Sequence, residues 1–110
     1  MVERPTHLDS VFHALGDPTR RAMLQRLVAQ ECTVGELAAP FKMSLAAASK
    51  HIKTLENVGL VRRTVRGRNH FCQLNPEPLA EADEWLRSYE RLWVKRLEAL
   101  EALLRHPEKE

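Results

Sequence analysis

Ser49, Lys50, His51 and Lys53 lie within a few positions of one another, behind Ser44, Ala46 and Ala47. Two hydrogen-bonding side chains, two cations and a small apolar step can read nucleic acid. Small side chains let a backbone approach closely, and an Ala methyl packs on a thymine methyl. On this reading Ser49 and His51 bond to base edges, while Lys50 and Lys53 divide between bases and phosphates. The same residues make no enzyme. On a helix, Ser49 and His51 point to different faces, so they form no nucleophile-base pair. No phosphate loop and no paired carboxylates stand at diagnostic spacing elsewhere. The plainer alternative is a solvated amphipathic helix whose His51 bonds to a neighbouring backbone.

The remaining reactive groups are two cysteines, Cys32 and Cys72, with no CxxC motif and no disulfide framework. A thiol switch needs a low-pKa thiolate and a resolving partner. Cys32 precedes a helix N-terminus, which favours a thiolate; Cys72 falls on a hairpin, half buried. Nothing in the sequence brings the two together, and inert cysteines are the preferred reading.

The elements that must position these side chains follow from periodicity. Ser44 is placed to cap a helix and Gly59 to end it, and Leu45, Ala48, Ile52 and Leu55 between them give one buried face. A first helix covers residues 8–15, with Leu8, Val11, Phe12 and Leu15 on one side. Asp17 and Pro18 open a second, running to about Gln30, with Ala22, Met23, Leu27 and Val28 inward and Arg20, Arg21 and Arg26 elsewhere. Thr33 and Glu36 form a capping-box pattern for a short third helix through about Phe41, with Leu37, Ala38 and Phe41 on its apolar side. A tight turn at Met43 and Ser44 then leads into the helix of residues 44–58. Two helices joined so closely, the second basic outside, are a helix-turn-helix signature with a recognition helix.

Past Gly59 the period drops to two. Residues 60–74 read as a hairpin: Leu60 to Arg66, a Gly67-Arg68 turn, and Asn69 to Leu74. A basic flap beside a recognition helix is a wing, with Arg66 and Arg68 gripping phosphate and Arg63 assisting. The alternative is an edge hairpin kept soluble by charge. Asn75-Pro76-Glu77-Pro78 reads as a stiff linker, and residues 79–105 as a long helix. Its apolar stripe includes Trp85, Leu86, Tyr89, Leu92, Trp93, Leu97, Leu100 and Leu104. That stripe is too long for one small domain to cover, so it predicts a symmetric homodimer in which this helix and the first helix, through Leu8 and Phe12, pack across the two-fold axis. The alternative folds Trp85, Leu86 and Tyr89 back on their own domain and leaves the later leucines to the dimer.

Composition agrees with one small domain over residues 1–110: 44% hydrophobic and 29% charged residues suit a globular chain. Net charge is only +2, but residues 44–75 hold six bases against Glu56 alone. A basic block in a near-neutral chain is what a phosphate-tracking surface requires. No apolar run approaches a membrane span and the N-terminal residues carry no apolar signal core, so the expected location is the cytoplasm, with no membrane partner. The fold class expected is mainly α with a small β-hairpin: a winged helix-turn-helix with a long C-terminal dimerisation helix.

Three stretches, residues 12–21, 33–38 and 49–61, give the chain a further likeness: over about residues 8–104 it resembles the ArsR-type winged helix-turn-helix transcriptional regulators. The resemblance implies a bacterial homodimeric repressor binding double-stranded DNA at a palindromic operator, often in its own promoter. Many such proteins sense metals. Their thiolate site, a Cys-Val-Cys-Asp stretch, matches Thr33-Val34-Gly35-Glu36 here, so both thiolates are missing. Their other site sets Asp and His on the last helix, which here has Asp83 but no His between residues 79 and 105. A meeting of His7, His13 and His106 across a dimer is a remote substitute. No metal and no cofactor are expected; an inducer is not legible. The rivals are a metal- or thiol-responsive sensor of the same family and a winged-helix protein-interaction module without DNA binding.

Overall fold

The computed structural model describes residues 7–105. Its order is α1 (His7–Leu15), α2 (Pro18–Ala29), β1 (Cys32–Thr33), α3 (Val34–Ala38), α4 (Leu45–Asn57), β2 (Val61–Arg66), β3 (Asn69–Leu74) and α5 (Glu77–Arg105). The chain is mainly helical, with a small antiparallel sheet and a long last helix, as its periodicity predicts. The two-residue strand β1 is new. It adds to the hairpin in the order β1-β3-β2, pairing Cys32 with Cys72 and Thr33 with Phe71. A segment of two residues is too short to show a period, so only tertiary pairing reveals it.

Local chemistry fixes the ends of these elements. Asp17 caps α2 through its side chain and Pro18 takes the first turn, where no N–H is needed. Thr33 and Glu36 close a full capping box on α3: Glu36 N donates to Thr33 Oγ1 (3.1 Å) and Thr33 N to Glu36 Oε1 (2.9 Å). α3 stops at Ala38, not Phe41, because Pro40 has no N–H for the Glu36 carbonyl. Arg26 Nη2 donates to that oxygen instead, at 3.3 Å. α5 starts at Glu77, two residues earlier than the periodicity suggests, because Pro78 suits a helix's first turn and the Pro76 carbonyl already accepts from Ala80 N at 3.0 Å. Residues 76–78 therefore begin the helix and are no linker.

One core holds the first four helices to the sheet. Met23, Leu37, Ala48, Ile52, Leu55, Leu60 and Cys72 are fully enclosed in it. On α2 the buried stripe is Met23, Leu24 and Leu27; Ala22 and Val28, expected inward, lie off that stripe and are exposed. On α4 the stripe is Ala48, Ile52 and Leu55. Leu45, expected with them, sits in the first turn, where the helix emerges from the core, and is 61% exposed.

α5 leaves this body. Only Pro78 and Ala82 of its residues are buried, and α1 is the helix packed against it. The radius of gyration is 20.2 Å, against roughly 13 Å for a compact chain of this length. The excess is this helix, ~43 Å long at 1.5 Å per residue.

Replacing the enclosed Leu55 should therefore cost far more than replacing the emergent Leu45. Leu55→Ala is expected to lower stability by about 2–5 kcal/mol, and Leu45→Ala by no more than about 0.5 kcal/mol, in urea denaturation. Equal losses would contradict this account of the α4 stripe.

Candidate nucleic-acid interface

The α4 helix is held rigidly at both ends. Ser44 Oγ accepts from Ala47 N at 3.1 Å. At the other end Gly59 adopts φ +80°, Gly59 N donates to Glu56 O (3.0 Å) and Leu60 N to Leu55 O (2.9 Å). That pair of bonds is a Schellman motif, which requires the left-handed glycine. Asn75 stitches the end of the hairpin to the same turn, with Nδ2 donating to Gly59 O at 2.7 Å and its own N to Leu60 O at 2.9 Å.

With the Ala48-Ile52-Leu55 stripe inside, the geometry of a 3.6-residue helix sets Ala46, Lys50, Lys53 and Asn57 in one exposed row. Lys50 and Lys53 make no side-chain hydrogen bond or ion pair among the described residues. Ser44 is exposed, and Ala47 and Ser49 are half-buried on the flanks. His51 is placed differently. It lies at the edge of the helix beside α2, half-buried, with Nδ1 3.2 Å from Arg20 Nη1 and 3.9 Å from Asp17 Oδ2. Its partner is thus a side chain from another helix, not a neighbouring backbone group.

The three wing arginines have three different environments. Arg63 faces the core side of the hairpin, opposite Cys72, and its Nη2 donates to Glu56 Oε1 at 2.6 Å, clamping the wing to α4. Its Nε is buried without a partner. Arg66 is also engaged. It forms a two-pronged contact with Glu31 (2.6 and 3.3 Å) and lies over the Phe71 ring, 4.7 Å from its centroid. Gln73 Nε2 adds a bond to the same carboxylate at 2.9 Å. Sequence reasoning missed this opposite charge, 35 residues upstream, which pairs with one of the two tip arginines. Arg68 is exposed and makes no hydrogen bond or ion pair among the described residues. It shares the two-residue loop with Gly67, whose φ of +63° suits the first position of a type II′ hairpin. Arg68, Asn69 and His70 face Thr33, Val34 and Gly35 across an open groove between the wing and α3.

Glu31 and Arg20 escaped sequence reasoning because their partners lie 35 and 31 residues away, and Glu56 because its partner lies across the turn from helix to strand. What the sequence left open for the cysteines the pairing shows: Cys32 and Cys72 are register partners on β1 and β3. Both are buried, and burial pushes the Cys72 thiol up, away from the reactive thiolate. Among the described residues no three His, Cys, Asp or Glu side chains assemble a metal-binding group. His7 instead lies 3.6 Å from Glu81; His106 is outside the described residues.

The stripe on α5 is exposed along its whole length: Trp85, Leu86, Tyr89, Leu92, Trp93, Val94, Leu97, Leu100, Leu103 and Leu104 each keep 44–75% of their surface. Phe12 meets Trp85 edge-on within the same chain (5.4 Å), and Trp85 meets Tyr89 (4.9 Å). Phe12 thus joins α1 to its own α5, and Leu8 on the same helix is half-buried. Among the described residues no helix is long and apolar enough to cross a membrane.

A family model described as a helix-turn-helix domain matches residues 15–64. Over 89 residues the chain is 37% identical to the HTH-type transcriptional regulator Rv2034 of Mycobacterium tuberculosis, covering 81% of this chain and 80% of that one. It is 28% identical over 82 residues to the transcriptional repressor SdpR of Bacillus subtilis, covering 74% and 91% respectively. Among solved structures, an ArsR family transcriptional regulator, RHA00566, superposes with a TM-score of 0.76 at 43% identity, covering 84% of this chain and 96% of that one.

The Glu31 contact carries a pH prediction. Hydrogen bonds from Arg66, then from Gln73, hold the Glu31 carboxyl below its ordinary value. A folded-state pKa below the unfolded one gives stability that is present above the unfolded value and lost as pH falls through the folded one. An NMR titration of the Glu31 carboxyl should show a midpoint that rises toward the ordinary range in Arg66→Ala. An unchanged midpoint would show that Arg66 does not hold it.

Proposed function

This chain belongs to the ArsR family of winged helix-turn-helix transcriptional regulators, and on that footing we propose that it is a homodimeric repressor that binds a palindromic operator without sensing metal. The observation that carries the reading is the exposed row on α4. Ala46, Lys50 and Lys53 stand clear of the core on a helix fixed at both ends, and Arg68 stands unpaired on the wing. On this reading α4 enters the major groove. Ser44, Ala46, Ala47 and Ser49 line its approach, and Lys50 and Lys53 meet bases and phosphates. Arg68 grips phosphate from the wing. Arg63 and Arg66 act chiefly within the protein, orienting the wing against α4 and β1 through Glu56 and Glu31.

The dimer reading rests on the open stripe of α5. An apolar face with two tryptophans and a tyrosine, left uncovered by its own domain, suits a second copy packed along the helix from Leu92 through Trp93, Leu97, Leu100 and Leu104. Trp85 and Tyr89 then serve both sides, holding α1 in their own chain and bordering the partner. The repressor role follows SdpR, whose name states it. The metal-independent reading is supported by Thr33 and Gly35, which stand where metal-sensing relatives carry thiolates.

The test is a fluorescence-anisotropy titration with duplex DNA spanning the chain's own promoter, over a range of salt. Binding should be sequence-selective, fall steeply with salt and be unchanged by zinc. Arg68→Ala should weaken binding to every sequence alike and lower the salt slope by about 1; Arg66→Ala should lower it less. A change of base preference at one position in Arg68→Ala would refute the wing's phosphate role, and zinc-driven release would refute the metal-independent reading.

A further inference from the structure

Arg20 spends every arm of its guanidinium at one junction. Its Nε donates to Ala14 O (2.7 Å), whose helical donor would be the N–H that Pro18 lacks, and its Nη2 to His13 O (3.0 Å), which also accepts from Gly16 N (3.1 Å). Its remaining arm, Nη1, lies 3.2 Å from His51 Nδ1. A guanidinium has only donors, so in this contact Nδ1 must supply the lone pair. A neutral imidazole accepting at Nδ1 carries its proton on Nε2. The competing group, Asp17 Oδ2, is 3.9 Å from Nδ1, beyond hydrogen-bond reach, and already accepts from Arg20 N at 3.0 Å in capping α2. On the far side of the ring, Nε2 makes no hydrogen bond among the described residues and is not among the buried unpaired atoms. It therefore meets solvent.

We infer that Arg20 is a positioning residue that fixes His51 as a neutral Nε2–H donor, and that this donor bonds a phosphate oxygen on the wall of the groove α4 enters. The inference rests on the DNA-binding reading above. Phosphate, not a base, is the expected acceptor because of where His51 stands. At 100° per residue it lies far round the helix from the row of Ala46, Lys50, Lys53 and Asn57, on the flank beside the start of α2. A side chain on that flank faces the groove wall, and the α1–α2 junction holds the ring there. Arg20 thus serves DNA binding through another residue, with its own guanidinium nitrogens all engaged inside the protein.

Two measurements test this, one without DNA. Two-bond proton–nitrogen NMR spectra of the His51 ring at mildly alkaline pH should show the Nε2–H tautomer, and Arg20→Lys, which keeps the charge but loses the fork, should shift the ring toward a tautomer mixture. An Nδ1–H ring in the unaltered protein would overturn the inference. With DNA, His51→Asn keeps an inner acceptor for Arg20 but loses the outer donor, whereas His51→Gln places an amide N–H near the Nε2 position. Asn should weaken binding by roughly fivefold to tenfold on operator and random duplex alike. The salt slope should not change, because a neutral donor displaces no counterion. Gln should restore most of the affinity. A loss confined to one base position would make His51 a base reader, a reduced slope would make it a cation, and an unaffected Asn variant would remove it from the interface; each overturns the inference. If the unaltered protein binds no duplex at all, the proposed function fails, a result the ring spectra alone cannot produce.

Discussion

A single constraint organises the domain: α4 must bury Ala48, Ile52 and Leu55. These side chains sit at zero exposure against α2, α3 and the base of the hairpin. A helix pinned along one stripe has no freedom to rotate, so the opposite row is fixed by arithmetic rather than by any contact of its own. Lys50 and Lys53 face outward because Ile52 cannot. The cap at Ser44 and the glycine turn at Gly59 then fix where that row begins and ends. Asn75 ties the hairpin and the start of α5 to the same turn. Recognition helix, wing and long helix thus share one anchor.

The arginines divide by environment. Arg20 and Arg21 satisfy carbonyls at the end of α1, and Arg26 satisfies one on α3. Arg63 and Arg66 pair with Glu56 and Glu31 across elements. Of the other bases in residues 44–75, Lys50, Lys53 and Arg68 have no side-chain partner among the described residues, and Arg62 has only a hydrogen bond to Asn75 Oδ1. The basic block counted along residues 44–75 therefore overstates the charge free for a polyanion. Two of its six bases are neutralised by Glu56 and Glu31.

Much of this was legible in the sequence, and the missed contacts share one cause. The α4 stripe, the capping box at Thr33, the glycine turn and the hairpin are local signals, set by side-chain type at short spacing. Partners remote in sequence left no such signal: Glu31 with Arg66, Arg20 with His51, and β1 with β3. Leu45 and Val28 looked internal because their residue type and spacing fit a buried face, yet the core ends before it reaches them. The long α5 stripe announced an interface, but sequence could not show that Phe12 would settle on its own chain's Trp85.

A second copy on α5 would set two α4 helices in symmetric register, and that arrangement makes a demand on DNA that a monomer does not. The most direct measurement is selection of bound duplexes from a random-sequence pool by the purified protein, followed by sequencing. The account predicts enrichment of an inverted repeat whose half-site centres lie about one helical turn apart, roughly 10 base pairs. Enrichment of an unrepeated motif, or of none, would contradict it.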